Sequence, residues 1–135
     1  MLRDRVFAPG RRFLGVDYPF LCGAMTWISD PKLVAAVAEA GGFGCLAGGN
    51  APAPVLAEAI EETRRRTDKP FAVNLVTVAP AYREHLELLR RTSVPYVIFA
   101  GSFPKERDIA AVKHSGTRVL CFASTMSIAN RMVRY

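Results

Sequence analysis

Residues 19–52, PFLCGAMTWISDPKLVAAVAEAGGFGCLAGGNAP, carry the reading that decides the fold. The apolar run 19–25 suits a strand, and Gly23 breaks it near its end. Asp30 followed by Pro31 is an N-cap residue before a first-turn proline. Leu33, Val34 and Val37 then recur at helical spacing, and Gly41-Gly42 stop the helix. A second apolar run, GFGCLAG (42–48), leads into Gly48-Gly49-Asn50. The stretch is therefore one βαβ unit. Both of its strand exits are rich in small residues, which let a planar ligand or a phosphate approach the backbone closely.

The same grammar continues to the last residue. Strand-like runs recur at FAVNLVT (71–77), YVIFAG (96–101) and RVLCFAS (118–124). A second helix follows Asn50-Ala51-Pro52, with Val55, Leu56, Ala59 and Ile60 on one face, and ends at Arg64-Arg65-Arg66. A third starts at Pro80 and turns Leu86 and Leu89 inward. A fourth starts at Pro104, uses Ile109 and Val112, and stops at Gly116. A fifth starts at Ser124 or Thr125, with Ile128, Met132 and Val133 expected inward, and runs to Tyr135 without a glycine stop. Residues 1–18 read as a short arm or pre-barrel segment. Strands that are apolar almost throughout are expected in a parallel sheet buried on both faces, and strict alternation of strand and helix predicts an α/β fold. An open doubly wound sheet and part of a (β/α)8 barrel both fit. A whole barrel needs about 250 residues, so these 135 residues would supply about five of its eight units.

Composition narrows the function classes. Half of the chain is hydrophobic and 22% is charged, an ordinary globular balance. No apolar run reaches the roughly 20 residues of a membrane helix. The first 13 residues are charged and lack the apolar core of a secretory signal, so a cytoplasmic protein is expected. The net charge of +6 arises partly from arginines at helix ends, where the helix dipole favours them. No nucleic-acid module or aromatic-interleaved basic stripe accompanies it, which argues against nucleic acid as a partner. Cys22, Cys45 and Cys121 fall in predicted strands without metal-ligand spacing, and read as reduced, buried packing residues. No metal site is expected.

Candidate site residues gather at the strand exits. Ala24 permits close approach after the first strand, free backbone N–H groups there would suit a ligand edge, and Met25 offers a soft apolar surface. Thr26 follows them. A plain turn with a core methionine explains the same residues. Gly48-Gly49-Asn50 precede a helix N-terminus that could accept an anion, or form a turn with Asn50 as cap. Asn74 stands inside an apolar strand. A buried amide without partners costs about 1–3 kcal/mol; its acceptor and two donors suit a flavin or nucleobase edge, or else a neighbouring loop. Ser124 and Thr125 end the fifth strand as an N-cap within reach of a ligand there. His85 is expected on an exposed helix face and His114 near a helix end, neither of them catalytic. No nucleophile–base set or paired carboxylates are visible.

YPFLCGAMTWISDPKLVAAVAEAGGFGCLAGGNAP (18–52), continued by TDKPFAVNLVTVAP (67–80), resembles the nitronate monooxygenase (2-nitropropane dioxygenase-like) family. That family includes the flavin-dependent enoyl-(acyl carrier protein) reductase of type II. A strand ending in G-x-M, the A-G-G-x-G run, G-G-N-A-P and P-F-x-V-N are its motifs. The resemblance implies a TIM barrel with FMN at the C-terminal ends of the strands. It also implies that Ala24, Met25 and Thr26 line the isoalloxazine, that Asn74 bonds it, and that Ser124 lies close by.

The family's later E-A-G-G-H segment, whose histidine is the base in nitronate oxidation, has no counterpart here, and neither His85 nor His114 maps onto it. The expected protein is thus an arm (1–18) and a partial FMN-binding barrel domain (19–135) ending in the fifth helix. In the intact enzyme it would oxidise nitronates with dioxygen. The alternatives are NAD(P)H-dependent enoyl-thioester reduction through the same FMN, or an inactive half-barrel. The expected partner is a small-molecule substrate, with self-association left open.

Overall fold

The computed structural model describes residues 2–113 and 116–135. Around the opening βαβ unit, strands β1 (Leu21–Cys22) and β2 (Phe43–Ala47) flank helix α2 (Pro31–Glu39). The Leu33 amide donates to Asp30 Oδ1 at 2.9 Å, the cap the sequence predicts, and Gly41 turns the chain out of the helix at φ 84°. The repeats follow as α3 (Ala53–Arg66), β3 (Ala72–Val76), α4 (Tyr82–Arg91), β4 (Tyr96–Ala100), α5 (Glu106–Lys113), β5 (Arg118–Cys121) and α6 (Met126–Met132). Helix α1 (Leu2–Leu14) occupies most of the segment read as an arm.

All five strands are parallel and lie in sequence order, β1-β2-β3-β4-β5. This decides between the two predicted architectures. A doubly wound sheet reverses its strand order and carries helices on both faces, whereas a (β/α) barrel adds each strand on the same side of the last. Here α2 to α5 cover one face. Val34, Leu56, Ile60, Leu89, Ile109 and Val112 from the helices meet Leu46, Val73, Leu75, Val97 and Phe99 from the strands. Fully burying each such side chain stabilises by about 1.5–3 kcal/mol.

Alternation places a second set of strand residues, Phe43, Cys45, Ala72, Tyr96 and Ile98, on the other face. Leu14 from the end of α1 seals this inner cluster. The Tyr96 hydroxyl donates to the Phe13 carbonyl, as does Arg118 Nη1 at 2.5 Å, and the Arg118 guanidinium lies 5.8 Å from the Phe13 and Tyr96 ring centres. Helix α1 is thereby tied to the N-terminal ends of the strands, the end that carries stability in such barrels.

Several expectations are corrected. His85 is not on an exposed face; it is wholly buried, because its side of α4 meets the loop after β2. Val133 is 87% exposed, and α6 buries none of its residues fully. Of the three free cysteines only Cys45 is buried, since β1 and β5 are the sheet edges. Asn50 does not cap α3, whose N-cap is Pro52 without a side-chain bond. His114 lies outside the described residues. Among the described residues, no helix is long and apolar enough to cross a membrane.

Candidate functional site at the strand C-termini

The register of β3 fixes the centre of the site. Asn74 pairs with Ala47 on one side and Ile98 on the other, one inward-facing layer beyond the Cys45–Ala72–Tyr96 row. It therefore belongs to the inner face, toward the C-terminal ends of the strands. Its Nδ2 donates to the Ile98 carbonyl at 3.2 Å. The partner is a carbonyl of the adjacent strand, not a loop. One Nδ2 hydrogen is spent there; the second and Oδ1 have no partner among the described residues. Ala47, its register partner on β2, is itself a small side chain.

The loop after β1 reaches the same face. Ala24 packs partly buried against the inner cluster of Phe43, Cys45, Ala72 and Ile98. A methyl group at Gly23 would meet nothing within 4 Å. Met25 is 42% exposed, and Thr26 is exposed beside it. A buried serine that sequence reasoning passed over holds this loop. Ser29 Oγ accepts from the Met25 amide and donates to the Gly23 carbonyl, both at 2.9 Å, and the Ala47 amide donates to the Ser29 carbonyl. The Met25 N–H is therefore occupied, contrary to the expectation of free N–H groups in this turn. A serine in a polar loop carries no signal in sequence that marks it as such a clamp.

The next loop packs down onto β3. A Cβ at Gly48 would lie 2.4 Å from the Asn74 carbonyl oxygen, and one at Gly49 2.9 Å from Val76 Cγ2. At Gly48 the obstacle is backbone, so only glycine permits this approach. The Ala51 carbonyl is 2.7 Å from His85 Nε2. On the far side, Thr77 Oγ1 accepts from the Ser102 amide at 2.7 Å and lies 3.1 Å from the Ala100 and Ser102 carbonyls. Gly101, at φ 90°, makes that turn. Ser124 is exposed at the end of β5, and it is Thr125 that caps α6, accepting from the Ile128 amide at 3.3 Å.

The structure thus brings Ala24 and Asn74 onto one face and places Met25, Thr26 and Ser124 at the same end of the sheet. The chemistry of this face is apolar with isolated amide and hydroxyl groups. Burial pushes the Cys45 thiol up to about 12, with the nearby Cys22 adding to it, so Cys45 stays protonated and is a packing group. Among the described residues no three His, Cys, Asp or Glu side chains converge as metal ligands.

A sequential parallel sheet, helices on its outer face and small residues at the strand C-termini define part of a (β/α) barrel. The chain belongs to the nitronate monooxygenase family, whose model matches residues 10–91. A carboxyl-CoA dehydrogenase of Rhodococcus jostii acting on a methyl-oxo-octahydro-indene ring system is 39% identical over 107 residues, 79% of this chain and 30% of that protein. FabK from Thermotoga maritima superposes with a TM-score of 0.86 at 35% identity, over 93% of this chain and 40% of that one. A nitroalkane oxidase from Streptomyces ansochromogenes superposes with a TM-score of 0.83 at 27% identity, over 93% and 45%. The chain thus spans less than half the length of these relatives, and its fold matches the N-terminal part of their barrels.

Proposed function

We propose that residues 19–135 form part of an FMN-binding domain in a cytoplasmic oxidoreductase that oxidises nitronates with dioxygen. The observation that carries the reading is the placement of Asn74. It is a polar side chain on an apolar inner face, with one N–H and its Oδ1 unspent, beside the small residues Ala24 and Ala47. The bed fits a flavin: Gly23 opens onto free space, Ala24 keeps the surface low, and Met25 supplies a polarisable apolar contact. Bound there, FMN would supply the electron transfer that no side chain can perform. Asn74 would orient the ring through its amide, Thr26 and Ser124 would offer hydroxyls at the rim, and Ser29 would hold the first loop in place.

A second reading is redox chemistry on an acyl thioester through the same FMN. It is favoured by the extent of the match to the Rhodococcus carboxyl-CoA dehydrogenase. In either reading the residues that handle the substrate proton lie outside this chain, so the 135 residues alone are an inactive portion of the bed, prone to self-association through the sheet edges.

Purifying the chain with added FMN separates these readings. A retained visible flavin spectrum is expected, with no turnover of a nitronate under dioxygen. A chain that stays colourless at saturating FMN removes the flavin reading, and turnover removes the inactive one. In the complete protein, nitronate-dependent dioxygen uptake supports the first reading. NAD(P)H consumption that depends on an enoyl thioester supports the second.

A further inference from the structure

We propose that His85 is a positioning residue that fixes the β2–α3 loop, Gly48–Pro52, against β3. Its effect on a ligand rests on the flavin reading above; its effect on the loop does not. His85 is 0% exposed on a helix whose other fully buried residue, Leu89, is apolar. A polar ring in that place costs free energy unless it is hydrogen-bonded. Its Nε2 lies 2.7 Å from the Ala51 carbonyl, which can only accept, so Nε2 carries the proton. No other described residue donates to that carbonyl. Helix α3 begins after its N-cap Pro52, which makes no side-chain cap bond, so the chain entering it needs an anchor from elsewhere. His85 supplies one from the neighbouring helix.

The anchor matters because the loop has a second fixed point. Gly48 lies so close to the Asn74 carbonyl that a Cβ would stand 2.4 Å from it. Pinned at Gly48 and at Ala51, residues Gly49 and Asn50 are held at the end of β2, next to the amide assigned to the flavin. The His85 Nδ1 is buried and has no partner among the described residues, so the ring's one bond among them is the bond to the loop. A purely space-filling residue would be served equally well by leucine.

Amide hydrogen exchange in the native chain, His85→Leu and His85→Gln tests this without flavin. Gln keeps an amide donor that reaches the Nε2 position, and Leu keeps the bulk alone. Exchange of the Ala51 amide, which donates to the Gly48 carbonyl at 3.3 Å, is expected to rise about tenfold in the Leu variant, the loss of one net hydrogen bond. It is expected to return toward native in the Gln variant, with β3 and the rest of α4 unchanged. Equal loop exchange in native and Leu chains overturns the proposal, as does acceleration spread evenly over α4 and β3 that Gln does not correct. Should the Leu variant not fold, the native ring decides: an Nε2 proton exchanging freely with solvent is incompatible with the anchor, and a protected one supports it. FMN titrations of the same variants read the consequence, an affinity about tenfold weaker in Leu and recovered in Gln. Failure of every variant to bind FMN would count against the flavin reading and leave the exchange result standing.

Discussion

Two glycines that look alike in sequence separate sharply once their surroundings are known. At Gly48 an added Cβ meets the Asn74 backbone oxygen at 2.4 Å, whereas at Gly23 it meets nothing within 4 Å. Gly48→Ala is expected to destabilise by about 1–3 kcal/mol, because β3 must move to admit the methyl group. Gly23→Ala is expected to stay within about 0.5 kcal/mol of native. Urea denaturation of both variants checks the contrast, and equal losses would show that the close approach at Gly48 is not tight. Asn74 is the other position where context decides. Asn74→Leu removes one hydrogen bond to the Ile98 carbonyl at nearly constant volume, a change of about 1 kcal/mol in stability. If the amide orients flavin, FMN affinity falls about tenfold or more in a fluorescence titration. An unchanged affinity would remove Asn74 from the site. The sequence marked Asn74 as a polar residue in an apolar strand. It could not say that half of its donor capacity is spent on β4, nor that Ser29 and His85 hold the flanking loops, because those bonds join residues by geometry alone.

The helices of this chain were legible because their ends carry chemistry. Asp30-Pro31 starts α2, Thr125 starts α6, and the α3 and α4 arginines stand in the last turn, where the dipole favours them. In α4, Glu87 bonds Arg90 at 2.8 Å and Arg91 at 2.6 Å. These donors, Arg90 first, hold the Glu87 carboxyl at about 2 against an ordinary 4.5. A depressed carboxylate stabilises the fold above its ordinary value and loses that contribution as pH falls toward the lower one. Glu87→Gln should therefore flatten the stability profile between pH 4.5 and about 2 and leave its shape above that window unchanged. The pair is solvent-exposed, so the effect shrinks as salt is added. A native-like acid limb in the Gln variant at low salt would show that these ion pairs contribute nothing. The faces of short helices were less legible. At the end of α6 the hydrophobic pattern pointed Val133 inward, but the residue, the C-cap of that helix, is exposed.

Across the whole molecule, stability is graded from the middle of the sheet to its edges. Ala72, Val73, Leu75 and Val97 are completely buried, while β1 and β5 each have a neighbour on one side only, and α6 buries no residue fully. Amides of β3 and β4 should exchange by global unfolding, and those of α6 by local opening with little protection. Native-state hydrogen exchange against denaturant resolves the two, and α6 amides as protected as those of β3 would contradict the gradient. The sequence by itself determined the order and kind of the elements. Period, caps and glycine stops are local properties of a chain, and they sufficed for five parallel-type strands joined by helices; the family came from the motifs that stretches 18–52 and 67–80 share with it. The strand–helix pattern left both the doubly wound sheet and the barrel open. Strand order and the side on which each helix packs depend on contacts between distant residues, so pattern could not choose; the family resemblance implied the barrel, and the tertiary structure shows it. The tertiary structure also decided what the opening stretch, 19–52, presents. Gly23, Ala24 and Met25 form an open bed only because Ser29 closes their loop from behind. Gly48 lies against the Asn74 carbonyl and Ala51 against His85, both from the next strand–helix repeat, contacts that join them through space alone.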